Sequence, residues 1–187
     1  ADGTFKVTEG ASGLSIEASP LEQAIDTALS TLSSTSVSVE VKEHDPQATT
    51  DEAQKVADAA NALIAPEVKL GDGIDTFTAT ALEKTAWVSL PKIPDETAKA
   101  ALDSHAVNHW VEQIAQKTNV APIPIYDNVD SAGNVLVEEA YPGKSGLAAN
   151  NVSEIASALF DAVSKGESYS ATFNYDKVEP TRETRQV

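Results

Sequence analysis

The sequence has no cysteine and no methionine. Without cysteine there is no disulfide framework, no thiolate nucleophile and no cysteine-held metal. Cations are scarce too: 13 Lys and Arg stand against 29 Asp and Glu, a formal charge of −16. Such a chain repels phosphate backbones and anionic headgroups, so nucleic acid and membrane surfaces are not expected partners. No apolar stretch approaches the roughly 18 residues of a membrane span, so no membrane insertion is expected within this segment. Aromatics are few, with Trp87, Trp110, four Tyr and four Phe. No Met opens the sequence, and the segment reads as a piece of a longer protein whose signal peptide, anchor or catalytic partner lies outside it.

What is present is globular. With 187 residues and 41% hydrophobic composition, the chain can bury roughly 70% of its unfolded surface. It also repeats itself. The first copy runs from Phe5 through Gly10-Ala11-Ser12-Gly13-Leu14, a helical stretch Pro20 to Leu32 and the alternating Val37, Val39 and Val41, closing at Asp45-Pro46. The second runs from Val135 through Gly143-Lys144-Ser145-Gly146-Leu147, a helical stretch Val152 to Val163 and the alternating Ala171, Phe173 and Tyr175, closing at Glu179-Pro180. The order in both is strand, GxxG turn, helix, strand, proline. Leu21, Ala24, Ile25, Ala28 and Leu32 share their helical spacing with Val152, Ile155, Ala156, Leu159 and Val163, and each set predicts one core-facing stripe. Ser19 and Glu22, with Pro20 between them, suggest a capping box, and Asn150 or Asn151 can cap the second helix.

Between the copies, helices are predicted over 50–64 with the box Thr49/Glu52, over 81–89 with Thr80/Glu83, and over 104–117 behind Asp103 or Ser104. In the last, Val107, Trp110, Val111 and Ile114 form the stripe, which makes Trp110 a core residue. Ile123 to Tyr126 and Asn134 to Glu138 predict a hairpin turned by Asp130-Ser131-Ala132-Gly133. The prolines of Leu90-Pro91-Lys92-Ile93-Pro94 mark a connector. The expected class is α+β, in two related units, each a small antiparallel sheet with packed amphipathic helices. The expected division is 1–95, a first, incomplete copy with connecting helices, and 96–187, a complete one.

The run from Leu102 to Pro180, with its Trp110-bearing helix, hairpin, Gly143-x-x-Gly146-Leu147 turn, amphipathic helix, strand and closing proline, resembles the peptidoglycan-binding domain found ahead of L,D-transpeptidase (YkuD-type) and VanW-like domains in bacterial envelope proteins. Residues Phe5 to Pro46 resemble the second half of a preceding copy, lacking its leading helix and hairpin. The resemblance implies a non-catalytic module in the cell wall, outside the cell, whose partners are peptidoglycan and a catalytic domain of the same parent chain. An L,D-transpeptidase nucleophile is a cysteine; this chain has none, so that active site is expected elsewhere. A structural spacer or protein-interaction module without glycan binding is the other reading.

Candidate chemistry within the segment is sparse. Gly10/Gly13 and Gly143/Gly146 precede helices, yet no Lys-Ser/Thr follows as in a phosphate loop; they read as structural turns needing positive φ or a close backbone approach. His105 and His109 have zinc-like spacing, but Ala106 replaces the metalloprotease Glu and the only other histidine is His44. In 127–133 a calcium loop would put Val129 at a ligand position and Ala132 where the loop glycine belongs, so hairpin chemistry fits better. No metal, no cofactor and no catalytic residue is therefore expected. Carboxylates at suitable separations for glycoside hydrolysis are inevitable in so acidic a chain and point to nothing. For a ligand, Tyr126 and Tyr141 offer rings at hairpin or turn positions, and Lys144 offers a cation for a stem-peptide carboxylate. Because the net charge opposes an anionic wall, contacts are expected to be short-range, with added salt strengthening or sparing them.

Overall fold

The computed structural model describes residues 2–34, 36–92 and 99–187. The chain divides into two compact units, Lys6–Ala57 with Pro91–Lys99, and Ala1–Phe5 with Asp58–Leu90 and Ala100–Val187. The class is α+β. Residues 93–95 of the expected boundary lie outside the described residues.

The first copy sits in the smaller unit. Strand β1 (Gly13–Ile16), helix α1 (Ala18–Thr31) and strand β2 (Val41–His44) follow in order, with β1 antiparallel to β2. The strand predicted across Val37–Val41 therefore forms further along. The helix begins at Ala18, with Glu17 before it making no side-chain cap bond, so the Ser19/Glu22 box does not form. Ser19 and Pro20 lie inside the first turn, where proline's missing N–H has no helical partner to lose. The chain leaves α1 through Leu32 in the left-handed region, φ 50°. The stripe Leu21–Ile25–Leu32 is not buried: α1 has no buried residue.

Helix α2 (Thr50–Ile64) opens with the expected capping box, Thr49 N–H to Glu52 Oε2 at 2.8 Å and Glu52 N–H to Thr49 Oγ1 at 3.2 Å. No element is predicted from the sequence over 66–79. A hairpin forms there from β3 (Val68–Gly71) and β4 (Thr76–Thr78), its turn held by the Asp72 carboxylate, which accepts from Ile74 and Asp75 N–H, with Gly73 at φ 93°. Helix α3 (Ala81–Thr85) carries the predicted Thr80/Glu83 box but stops short of residue 89. Trp87 is buried, and β5 (Val88–Ser89) pairs with β6 (Ala101–Leu102).

The second copy completes the larger unit. Helix α4 (Ser104–Thr118) is capped by Asp103, whose carboxylate accepts from His105 and Ala106 N–H. It is followed by β7 (Ile125–Val129), β8 (Val135–Tyr141), β9 (Gly146–Ala149), α5 (Val152–Ser164), β10 (Tyr169–Thr172), β11 (Tyr175–Val178) and β12 (Arg182–Gln186). The single predicted strand at 170–175 is two, broken where Phe173 turns into the core. Asn151 precedes α5 without capping it; its amide instead accepts from Asn174 N–H and donates to Thr172 O, fixing that corner. Among the described residues the pairs β1–β2, β9–β11 and β5–β6 are antiparallel, as expected, while two three-stranded sheets are mixed, since β10 runs parallel to β3 and β12 parallel to β7.

One hydrophobic cluster joins Val68, Leu70 and Trp87 to Val107, Trp110, Val111 and Ile114 of α4 and to Ile155, Leu159, Val163 and Phe173. Residues 58–90, within the expected first division 1–95, belong to the same compact unit as the second copy, with Val68, Leu70, Ala79 and Trp87 in its core. Trp87 and Trp110 meet edge to face at 5.3 Å, a geometry that adds about 0.5–1.5 kcal/mol beyond burial. Trp110 is core, as expected, with its indole N–H donating to Glu83 at 3.3 Å.

The two copies repeat contacts, not only pattern. Gly13 stands opposite His44, and Gly146 opposite Val178. Ser12 donates to Asp45 and Ser145 to Glu179, each at 3.4 Å. Glu17 pairs with Lys42 where Asn150 donates to Asp176.

Burial separates the copies energetically. Leu159 is 0% exposed and Leu29 68%. Leu159→Ala should cost about 2–5 kcal/mol in urea denaturation, and Leu29→Ala within about 0.5 kcal/mol. Equal costs would mean that α1 is covered.

Candidate functional site

The hairpin of β7 and β8 is set by its turn. The Asp130 carboxylate accepts from Ala132 N–H, Asn134 N–H and the Asn134 side-chain amide at 2.8–2.9 Å, while Gly133 takes φ 86°. This is the expected hairpin chemistry. These bonds, with the Asn134 side chain contributing most, hold the Asp130 carboxyl below its ordinary range.

Further along, the pairing is irregular: Asn128 faces Val137, but Tyr126 faces Tyr141, so β8 carries two extra residues against β7. Glu139 lies in this bulge at φ 50°, a conformation unfavourable to a non-glycine residue. Asp127, 8% exposed, stabilises it: one carboxylate oxygen accepts from Glu139 N–H at 2.8 Å and the other meets Arg182 Nε at 3.1 Å. Arg182 reaches on to the Glu139 carboxylate at 3.0 Å. The bulge brings Tyr141 opposite Tyr126.

Tyr126 and Tyr141, with Ile123, Pro124, Pro142 and Arg185, line a cleft of about 460 Å³. Two of the three predicted ligand residues are thus together. The Arg185 guanidinium lies over the Tyr141 ring, 5.3 Å from its centre. Lys144 does not line the cleft; its backbone exchanges both hydrogen bonds with Ile123, which does. Sequence reasoning missed Arg185 because β12 is wholly exposed and has no apolar alternation to mark it.

The glycines act through close approach, not positive φ. A side chain at Gly146 would run into Val120 O and Pro122, and one at Gly143 into Ile123 O and Pro180. Gly10 faces Pro46 as Gly143 faces Pro180, but at Gly13 a Cβ would meet nothing within 4 Å. Bridges Val120–Leu147 and Ile123–Lys144 bring the preceding segment against the second turn.

A second groove, between α4 and α5, is lined by Ser104, His105, Asn108, Ser153, Ser157 and Phe160, and no hydrogen bond links the His105 ring to these serines. His109 meets Gln113 at 3.1 Å. Among the described residues, no three His, Cys, Asp or Glu side chains group as a metal site, and no helix is long and apolar enough to cross a membrane.

No family model matches the chain, and no curated protein matches it. Its structural neighbours are L,D-transpeptidases. It is similar to an Enterococcus faecium L,D-transpeptidase mutant at 13% identity, and to the Ldtfm-avibactam carbamoyl enzyme at 15%, both with TM-score 0.41. Each match covers 64% of this chain and 44% of the other, so the chain spans less than half of these enzymes. A likeness this distant bears on neither the fold nor the cleft, which rest on the contacts above.

Asp127→Ala should cost about 1–3 kcal/mol, because Glu139 N–H and Arg182 both lose their acceptor. Faster amide exchange at Glu139 is the accompanying readout; unchanged exchange there would leave the bulge without its brace. For Asp130, the lowered folded pKa means a contribution present above the unfolded value near 3.9 and lost as pH falls through the lower folded value. Amides of Ala132 and Asn134 should therefore lose exchange protection on acidification below about pH 4, and Asp130→Ala should give that loss at neutral pH.

Proposed function

We propose that this chain is a non-catalytic, extracellular peptidoglycan-binding or positioning module of a cell-wall-modifying enzyme, an L,D-transpeptidase whose catalytic domain lies outside the segment. The observation that carries the reading is the pairing of Tyr126 with Tyr141 across β7 and β8, beside Pro124 and Pro142 and under a cation. Sugar rings present C–H faces that pack on aromatic rings and hydroxyls that need donors and acceptors at the rim. Both kinds of group meet here, in the hairpin that the resemblance includes. Support comes also from the second copy, whose helix, hairpin, glycine turn and helix occur in the order that the resemblance calls for. The absence of cysteine is in keeping with a nucleophile located elsewhere.

The test is co-sedimentation with purified sacculi. The chain should pellet, and Tyr126→Ala with Tyr141→Ala should reduce the bound fraction about tenfold, equivalent to about 1.4 kcal/mol. No retention of the unaltered chain in either low or moderate salt would favour the spacer or protein-interaction reading.

A further inference from the structure

We propose that the Tyr126–Tyr141 cleft reads a carboxylate: Arg185 takes the carboxylate of a ligand whose apolar part lies against Ile123, Pro124, Tyr126 and Pro142. This rests on the peptidoglycan reading and deepens it, the group read being a free stem-peptide carboxylate.

The first reason is what Arg185 lacks. In a chain with 29 acidic residues, one expects an arginine to find a carboxylate. Arg182, on the same strand, has two, Asp127 and Glu139. Arg185 has no ion pair and no side-chain hydrogen bond among the described residues; its partner is the Tyr141 ring. Glu183, opposite Tyr126 in the register, accepts instead from Thr181 Oγ at 3.4 Å and does not line the cleft. The five donors of the guanidinium are therefore uncommitted.

The second reason is how it is held. A guanidinium held over a ring spends none of its N–H groups on a hydrogen-bond acceptor there, and a pair of them matches a carboxylate in a two-bond fork. The ring also restricts a long side chain before any ligand arrives, which reduces the ordering cost of binding. The third reason is the wall of the cleft: Ile123, Pro124 and Pro142 offer little that hydrogen-bonds, so an anion entering there finds its donors mainly in Arg185. Lys144 has no ion pair among the described residues, and its backbone pairing with Ile123 places a second cation's residue beside the rim. The lining thus carries one cation and no carboxylate, opposite in sign to the net charge, which reverses the salt dependence expected from composition.

The experiment is a titration of the intact chain, followed by amide chemical shifts, with a disaccharide-tetrapeptide muropeptide in its free-acid and carboxamide forms. A second pair of probes, N-acetyl-leucine and its amide, carries the same chemistry outside the wall. The free acid should bind about tenfold more tightly than the amide, and Arg185→Gln should abolish that preference. Arg185→Lys should keep part of it, as a point charge without the fork. Affinity for the acid should fall as salt rises from about 0.1 to 1 M and the screening length shrinks from roughly 10 to 3 Å. Equal binding of acid and amide, or a preference that survives Arg185→Gln, overturns the carboxylate assignment, and retention on sacculi in that case leaves the peptidoglycan reading standing. An Arg185-dependent preference for N-acetyl-leucine over its amide, with neither muropeptide bound, supports the carboxylate assignment and removes the peptidoglycan reading.

Discussion

An amphipathic helix in water gains stability when its apolar stripe is covered, and the larger unit is organised by one such covering. The stripe Ile155–Leu159–Val163 of α5 packs in the same cluster as Val107, Trp110, Val111 and Ile114 of α4. From that helix pair the rest follows by short-range links. Asn119, just past α4, accepts from Ala149 N–H of β9 at 2.8 Å. The chain after Asn119 then bridges β9 and its turn at Val120–Leu147 and Ile123–Lys144, which only glycine at 143 and 146 permits. Ile123 and Pro124 are in this way brought to the start of β7, where they become walls of the cleft. The helix packing and the candidate site are mechanically continuous.

The first copy shows what the same local sequence does without that covering. Its strand pair, its serine–acid contact at the turn and its strand-exit pairing all recur, because each joins residues brought together by the strand pair alone. Its helix stripe stays exposed, and Gly13 has open space where Gly146 is pressed by Val120 O and Pro122. In the second copy α4 covers the helix stripe and the bridging segment presses on Gly146; among the described residues neither the α1 stripe nor Gly13 meets an equivalent. Periodicity states which face of a helix is apolar; burial of that face depends on a second surface, often distant in sequence.

That distinction also explains what could be read in advance. The helices at 50–64, 104–118 and 152–164 are carried by spacing within one turn or two, and the boxes at Thr49/Glu52 and Thr80/Glu83 by residues three apart. The Asp130 turn is equally local. The Val68–Thr78 hairpin was within reach, since Asp72-Gly73 between apolar residues is a turn signal. The parallel pairings of β3 with β10 and β7 with β12 leave no such trace, because no local turn connects the strands. Of the candidate site, the two tyrosines were visible as rings near turns, but their meeting depends on a bulge whose brace, Asp127 to Glu139 and Arg182, spans three strands. Arg185 sits on a strand exposed along its whole length, where no hydrophobic pattern sets it apart from any other surface cation.

Net charge and local charge answer different questions. The −16 of the whole chain governs how it approaches another large anion from beyond a screening length. Within the cleft, the relevant sum is over groups a few ångströms apart, and there the acids are already engaged. None of them lines the cleft: Asp127 and Glu139 share Arg182 at the bulge, and Glu183 accepts from Thr181. Two residues separate Arg182, which builds the site, from Arg185, which has only a ring beneath it. An acidic surface that disfavours non-specific contact with anions, carrying one oriented guanidinium in an apolar recess, selects for ligands that can bring a single carboxylate close, and against polyanions whose further charges would face the rest of the protein.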